Sequence, residues 1–146
     1  MEKIRIKLLR KTSKMPTYGS EHAAGADIYA DIDSDIIILP HETVMIPSGF
    51  AIEIPVGYAG FVYPRSGMAS KRGLASANKV GVIDSDYRGE VIVALHNHSS
   101  SPAVLSPGER IAQLIIAPVF TPGFELSEEL SDTARGTGGF GSTGYK

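Results

Sequence analysis

Asp35-IIILPHETVMIPSGFAIEIPVGYAGFVY-Pro64 is a series of short Ile- and Val-rich runs cut by Pro40, Pro47, Pro55 and Pro64. Proline has no N–H for a strand ladder, so each cut bounds a run at strand length. No sustained helical periodicity crosses the stretch. It predicts strands near 35–39, near 43–54 with a break at Pro47, and near 58–63. The same texture continues outward, predicting strands near 2–9, 26–30, 79–84, 90–97 and 110–119, with Pro102, Pro107, Pro118 and Pro122 in the connections. Many short strands separated by Gly and Pro predict an all-β barrel or jelly roll. The exception is a two-turn helix after Arg65, with Ser66 to cap its start and Gly73 its end.

At 146 residues the chain fits one domain with one core. Its net charge of −2 offers no broad attraction to nucleic acid or to an anionic membrane. The absence of cysteine excludes a disulfide framework and a thiolate zinc site. A cytoplasmic setting is the expectation, since the N-terminus lacks the apolar stretch of a signal peptide. There Lys3, Arg5 and Lys7 alternate with Ile4, Ile6 and Leu8, which is the solvated face of a strand rather than an interaction arm. From Thr121 the apolar content falls and Glu125, Glu128, Glu129 and Asp132 accumulate. The chain therefore divides into a barrel over 1–120 and a linker with a glycine-rich arm over 121–146.

Several segments carry groups suited to chemistry. Asn78-KVGVIDSDYRG-Glu90 reads as a β-hairpin with Asp84, Ser85, Asp86 and Gly89 around its bend. A tight turn alone accounts for these residue types. The segment also offers Asp84 as a general base, Tyr87 as a rigid ring, and a slot edged by backbone where Val82 lies opposite Ile92. Pro64-Arg-Ser-Gly-Met-Ala69 places Arg65 and Ser66 at a helix start that suits a phosphate, or is simply capped. In Ala24-Gly-Ala-Asp-Ile-Tyr29, Asp27 is either a turn acceptor, the favoured reading, or a partner of magnesium-bound water. Gly108-ERIAQ-Leu114 reads as a strand with Gln113 facing outward. His96 and His98 share a strand face, but no third metal ligand accompanies them. Near the end, Gly136 to Gly141 spells G-x-G-x-x-G; with only five residues beyond it, no Rossmann helix can follow.

In order along the chain, AGADIYA, PRSGMA, NKVGVIDSDYRGE, GERIAQL and RGTGGFGSTG closely resemble the five motifs of the trimeric deoxyuridine triphosphatase family, over residues 23 to 144. Met68 and Ile28 stand where leucine is commoner, and neither change removes a functional group. The resemblance implies a distorted jelly-roll barrel of the β-clip kind with one short helix and a flexible C-terminal arm. It also implies a homotrimer with sites shared between subunits, and hydrolysis of magnesium-chelated dUTP to dUMP and pyrophosphate. The roles it implies are Asp84 activating the attacking water, Arg65, Ser66 and Gly67 holding phosphates, Gln113 near the α-phosphate, and Asp27 supporting Mg2+ through its water shell. Gly81, Val82, Ile83 and Ile92 would recognise uracil through main-chain atoms, with Asn78 in the same pocket and Tyr87 against the deoxyribose. From the arm, Arg135 would reach the terminal phosphate and Phe140 would cover the base, while Gly141, Ser142 and Thr143 complete the phosphate cage.

Two other readings remain open at this level. The related dCTP deaminases share the barrel, although the hairpin and the complete arm favour the hydrolase. A nucleotide-gated binding module would also use an arm ordered by dUTP.

Overall fold

The computed structural model describes residues 3–140 and 142. Among them are eleven strands and one helix: β1 Arg5–Leu8, β2 Thr17–Tyr18, β3 Ala26–Tyr29, β4 Ile36–Ile38, β5 Thr43–Glu53, β6 Tyr58–Pro64, α1 Ser66–Arg72, β7 Leu74–Ser76, β8 Gly81–Ile83, β9 Glu90–Asn97, β10 Ala103–Leu105 and β11 Arg110–Pro118. They form sheets ordered β1-β5-β9-β7 and β2-β3-β11-β6-β8, with a β10-β4 pair, and every pairing is antiparallel. This is the distorted all-β jelly roll with one short helix that the sequence predicts.

Alternation explains which residues face inward. In β9, Val91, Val93, Leu95 and Asn97 are buried, while Ile92 faces out. The core gathers Ile28, Ile38, Ile46, Phe50, Leu74, Leu95, Leu105 and Ile111 from both large sheets and the β10-β4 pair. Each such side chain contributes roughly 1.5–3 kcal/mol on leaving water. Asn97 is fully buried yet satisfied: its Nδ2 donates to the carbonyls of Ile38 (3.0 Å) and Ser101 (2.8 Å).

The structure corrects several expectations. The break at Pro47 is a bulge inside one continuous strand, where the register of β5 on β9 shifts between Pro47↔Ile92 and Ala51↔Glu90. The N-cap of α1 is Arg65, and no side chain caps it. Ser66 is the first helical residue, with its backbone carbonyl taking a bond from Ser70. Gly73 does end the helix in the left-handed region, at φ 66°. Asp27 is a buried strand residue, not a turn acceptor, because its carboxylate has two arginine partners. Leu8 does not join Ile4 and Ile6 against the core; it is 44 % exposed. Strands β2, β7 and β10, of two or three residues each, carry no periodic signal of their own and exist by pairing with longer neighbours.

The largest correction concerns the expected hairpin. Its arms do not pair with each other: β8 adds to β6, whereas β9 lies between β5 and β7 in the other large sheet. A 3.2 Å bond from the Tyr87 N–H to the Asp84 carbonyl closes the bend, and the arms then diverge. The space between them is a slot rather than a ladder.

After Val119, whose N–H bonds the Gly57 carbonyl at 2.9 Å, the described residues add no strand or helix.

Candidate active site

The slot between the diverging arms has a volume of about 340 Å³. It brings together Asn78, Gly81, Val82, Ile83, Asp84, Tyr87 and Ile92, seven of the residues singled out from the sequence, with Glu90 at its edge. Val82 and Ile92, expected opposite each other, both line the slot, at 61 % and 47 % exposure, but their ladder partners are Phe61 and Pro47. Ile83 is buried on the far side of the same strand. Its close packing on β6 depends on Gly60, where an added Cβ would lie 2.9 Å from Ile54 Cδ1 and 3.2 Å from Ile83 Cβ. The slot is edged by β8, the outermost strand of its sheet, whose main chain can serve a planar heterocycle through backbone donors and acceptors.

Deep in the slot sits Ser76, 2 % exposed, whose Oγ has no partner among the described residues. Burying an unpaired hydroxyl costs roughly 1–3 kcal/mol, so it marks a place where a guest polar atom or a water gains a bond. Sequence reading gave no sign of it, because a serine ending a three-residue strand looks like turn chemistry.

A second cleft, of about 220 Å³, brings together Asp27, Arg65, Ser66 and Gln113 with Gly19, Gly25 and Arg110. Asp27 and Gln113 are cross-strand neighbours on β3 and β11, which explains their meeting. The Asp27 carboxylate accepts from Arg65 Nε at 2.7 Å and from Arg110 Nη1 at 3.2 Å. Arg65 is thereby held by one nitrogen, and its terminal nitrogens remain for an anion. Gln113 Nε2 donates to the Pro64 carbonyl at 3.0 Å. Gly25 makes room for Gln113, since a Cβ there would lie 2.6 Å from its Oε1 and 3.1 Å from its Cβ. Gly67 faces open space, with nothing within 4 Å of where a Cβ would be. Arg110, which the sequence reading passed over, was signalled only by its place three residues before Gln113.

The two clefts share no lining residue. No described arm residue lines either one. The hydrogen bonds of Ser127, Arg135, Gly136, Gly138 and Ser142 stay within the arm. Phe120, Phe124, Leu126, Leu130 and Phe140 are each at least 89 % exposed. Arg135 and Phe140 thus lie apart from both clefts within one chain. Gly141 and Thr143 fall outside the described residues.

Among the described residues no three His, Asp or Glu side chains are grouped to hold a metal ion. His96 and His98 stack edge to face at 4.4 Å, with His96 Nδ1 bonded to Thr43 Oγ1 at 2.8 Å. Desolvation, and then the charges of His96, Lys79 and His41, lower the pKa of His98. With its oxygens on two arginines, Asp27 is not arranged as a direct cation ligand. Any magnesium at this site would therefore arrive on an anionic guest.

Comparison with known proteins gives a concordant result. A family model described as dUTPase matches residues 11–144. The chain is 52 % identical to a deoxyuridine 5'-triphosphate nucleotidohydrolase of Desulfitobacterium hafniense, covering 97 % of this chain and 96 % of that one. It is 47 % identical to the enzyme of the same name from Syntrophotalea carbinolica, covering 97 % of each. Among solved structures, a dUTPase of Staphylococcus bacteriophage 80alpha with dUpNHpp superposes with a TM-score of 0.90 at 30 % identity, over 99 % of each chain. A dUTPase of phage phi11 of S. aureus, described with a structural Mg(II) ion, superposes at 0.78 with 25 % identity, over 88 % of this chain and 98 % of that one.

Proposed function

We propose that this chain, which belongs to the dUTPase family and hydrolyses dUTP to dUMP, builds each active site from clefts of different copies in a homotrimer. The observation that carries this reading is the separation of the two clefts and the arm within one chain. The base slot of one copy, the phosphate cleft of a neighbour and the arm of a further copy together supply the groups that a nucleoside triphosphate needs.

In this reading uracil enters the slot and pairs with the main chain of Gly81, Val82 and Ile83, with Ile92 and Asn78 completing the walls. A 5-methyl group would overlap the slot wall, which excludes thymine more strongly than a loose contact would. Tyr87 lies against the deoxyribose and leaves no room for a 2′-hydroxyl. Asp84, at the exposed bend, takes the proton of a water whose oxygen attacks the α-phosphorus. The bond from that phosphorus to the bridging oxygen breaks, and pyrophosphate leaves.

Arg65 with Ser66 and Gly67 at the start of α1 holds the phosphates, and Gln113 lies beside the α-phosphate. Asp27 keeps Arg65 oriented and, in this reading, would support magnesium through its water shell. Magnesium bound to the triphosphate would neutralise part of its charge. Arg135 reaches the terminal phosphate, Phe140 covers the uracil face, and Gly141, Ser142 and Thr143 close the phosphate cage. No described helix is long and apolar enough to cross a membrane. A cytoplasmic setting fits a substrate drawn from the nucleotide pool.

Light scattering tests the assembly: the active particle is expected to have the mass of three 15.5 kDa chains. Full activity in a particle of single-chain mass would overturn the composite site.

A further inference from the structure

We propose that Glu90 and Gly89 are positioning residues that set the ring of Tyr87, and that the N-terminal segment fixes them through Arg10. The inference rests on the reading of Tyr87 as the residue that senses the sugar. Tyr87 Oη donates to the Glu90 carbonyl at 2.9 Å, which folds the ring back over the residue just before Glu90. That residue is Gly89, where a Cβ would lie 2.6 Å from Tyr87 Cζ and displace the ring. The tyrosine therefore takes its place from the backbone at the start of β9.

The start of β9 is anchored in turn by the Glu90 carboxylate. Its Oε1 accepts from the Gly49 N–H at 2.8 Å, a donor freed from the ladder by the β5 bulge, and both its oxygens meet the Arg10 guanidinium. Arg10 is itself held by Asp31, Nε to Oδ2 at 2.7 Å, and Ser13 Oγ bonds the same carboxylate oxygen at 2.8 Å. Gly49, at φ 77°, completes the clamp, since a Cβ there would lie 2.7 Å from Ser13 Cβ and would overlap the Asp31 carboxylate. The bond from Arg10, opposed by burial and helped by the Gly49 N–H, holds Glu90 below the usual carboxylate range. Residues 10, 13 and 31 lie outside both clefts yet determine the frame on which a slot residue rests.

The test measures kcat/KM for dUTP and for UTP in full-length protein. Glu90→Gln is expected to narrow the dUTP-to-UTP ratio by about 5–10-fold, the scale of one ordinary hydrogen bond, mainly through KM. Tyr87→Phe, lacking the bond to the Glu90 carbonyl, is expected to narrow the ratio similarly. The double variant should add little, because both changes act on one arrangement. Arg10→Gln attacks the same clamp from the exposed surface and serves where Glu90→Gln folds poorly. A ratio unchanged in Glu90→Gln and Arg10→Gln, with only a lower melting temperature, overturns the positioning role, as do additive effects in the double variant. Tyr87→Ala separates the two levels. If it leaves the ratio intact, the sugar-sensing reading itself has failed.

Discussion

Asp84→Asn is expected to lower kcat for dUTP by about 10²–10⁴-fold, the usual contribution of a positioned general base, while nucleotide affinity stays within a few-fold. Asparagine keeps the size of the side chain and loses the ability to accept a proton. The bend survives, because its 3.2 Å bond uses the Asp84 backbone carbonyl and not the carboxylate. The side chain is exposed at the edge of the slot, so the change opens no cavity and strands no buried partner. Pyrophosphate release and calorimetric titration with a non-hydrolysable dUTP analogue separate turnover from binding. Parental turnover in Asp84→Asn would mean that another group activates the water.

Ending the chain after Ala134 is expected to cost about 10²-fold or more in kcat/KM, since it removes Arg135 and the hydroxyl and N–H donors proposed to surround the phosphates. Thermal unfolding and particle mass should barely change. The buried core ends at Leu114, and the hydrogen bonds of Arg135, Gly136, Gly138 and Ser142 run within the arm. Phe140 is fully exposed, so its loss uncovers no core. Calorimetry, light scattering and pyrophosphate release on the same sample check all three quantities. Near-parental activity in the shortened chain would remove the arm from the site.

Strand content was readable where alternation or proline spacing is local. Residues 90–97 emerge as β9 with the expected bounds, and the stretch from Asp35 to Pro64 yields β4, β5 and β6. What escaped depends on distant partners. The segment from Asn78 to Glu90 has the turn residues of a hairpin, yet the fate of each arm is decided by β6 on one side and by β5 and β7 on the other. That long-range competition opens the slot, so seven of its lining residues were legible while Ser76 and the reason for the slot were not. Asp27 is similar: its sequence neighbours suggest a turn, and only the pairing of β11 with β3 and with β6 brings Arg110 and Arg65 onto it. Glu90 and Arg10, eighty positions apart, meet beside the β5 bulge; Pro47 announced the break, but nothing local announced the partners gathered there. The terminal arm had the reverse history. Its chemistry was plain in the sequence, and its separation from both clefts could be seen only in the fold.

The claim on which the rest depends is that Asp84 and the arm acting on one substrate come from different copies. The two weakened chains described above, Asp84→Asn and the chain ending at Ala134, can be refolded together in equal amounts. Under random assembly, a site regains both parts when its slot comes from the shortened chain and its arm from Asp84→Asn, which predicts recovery of about a quarter of parental activity. Activity no greater than the sum of the two separate chains, in particles shown by light scattering to contain both, would contradict the account.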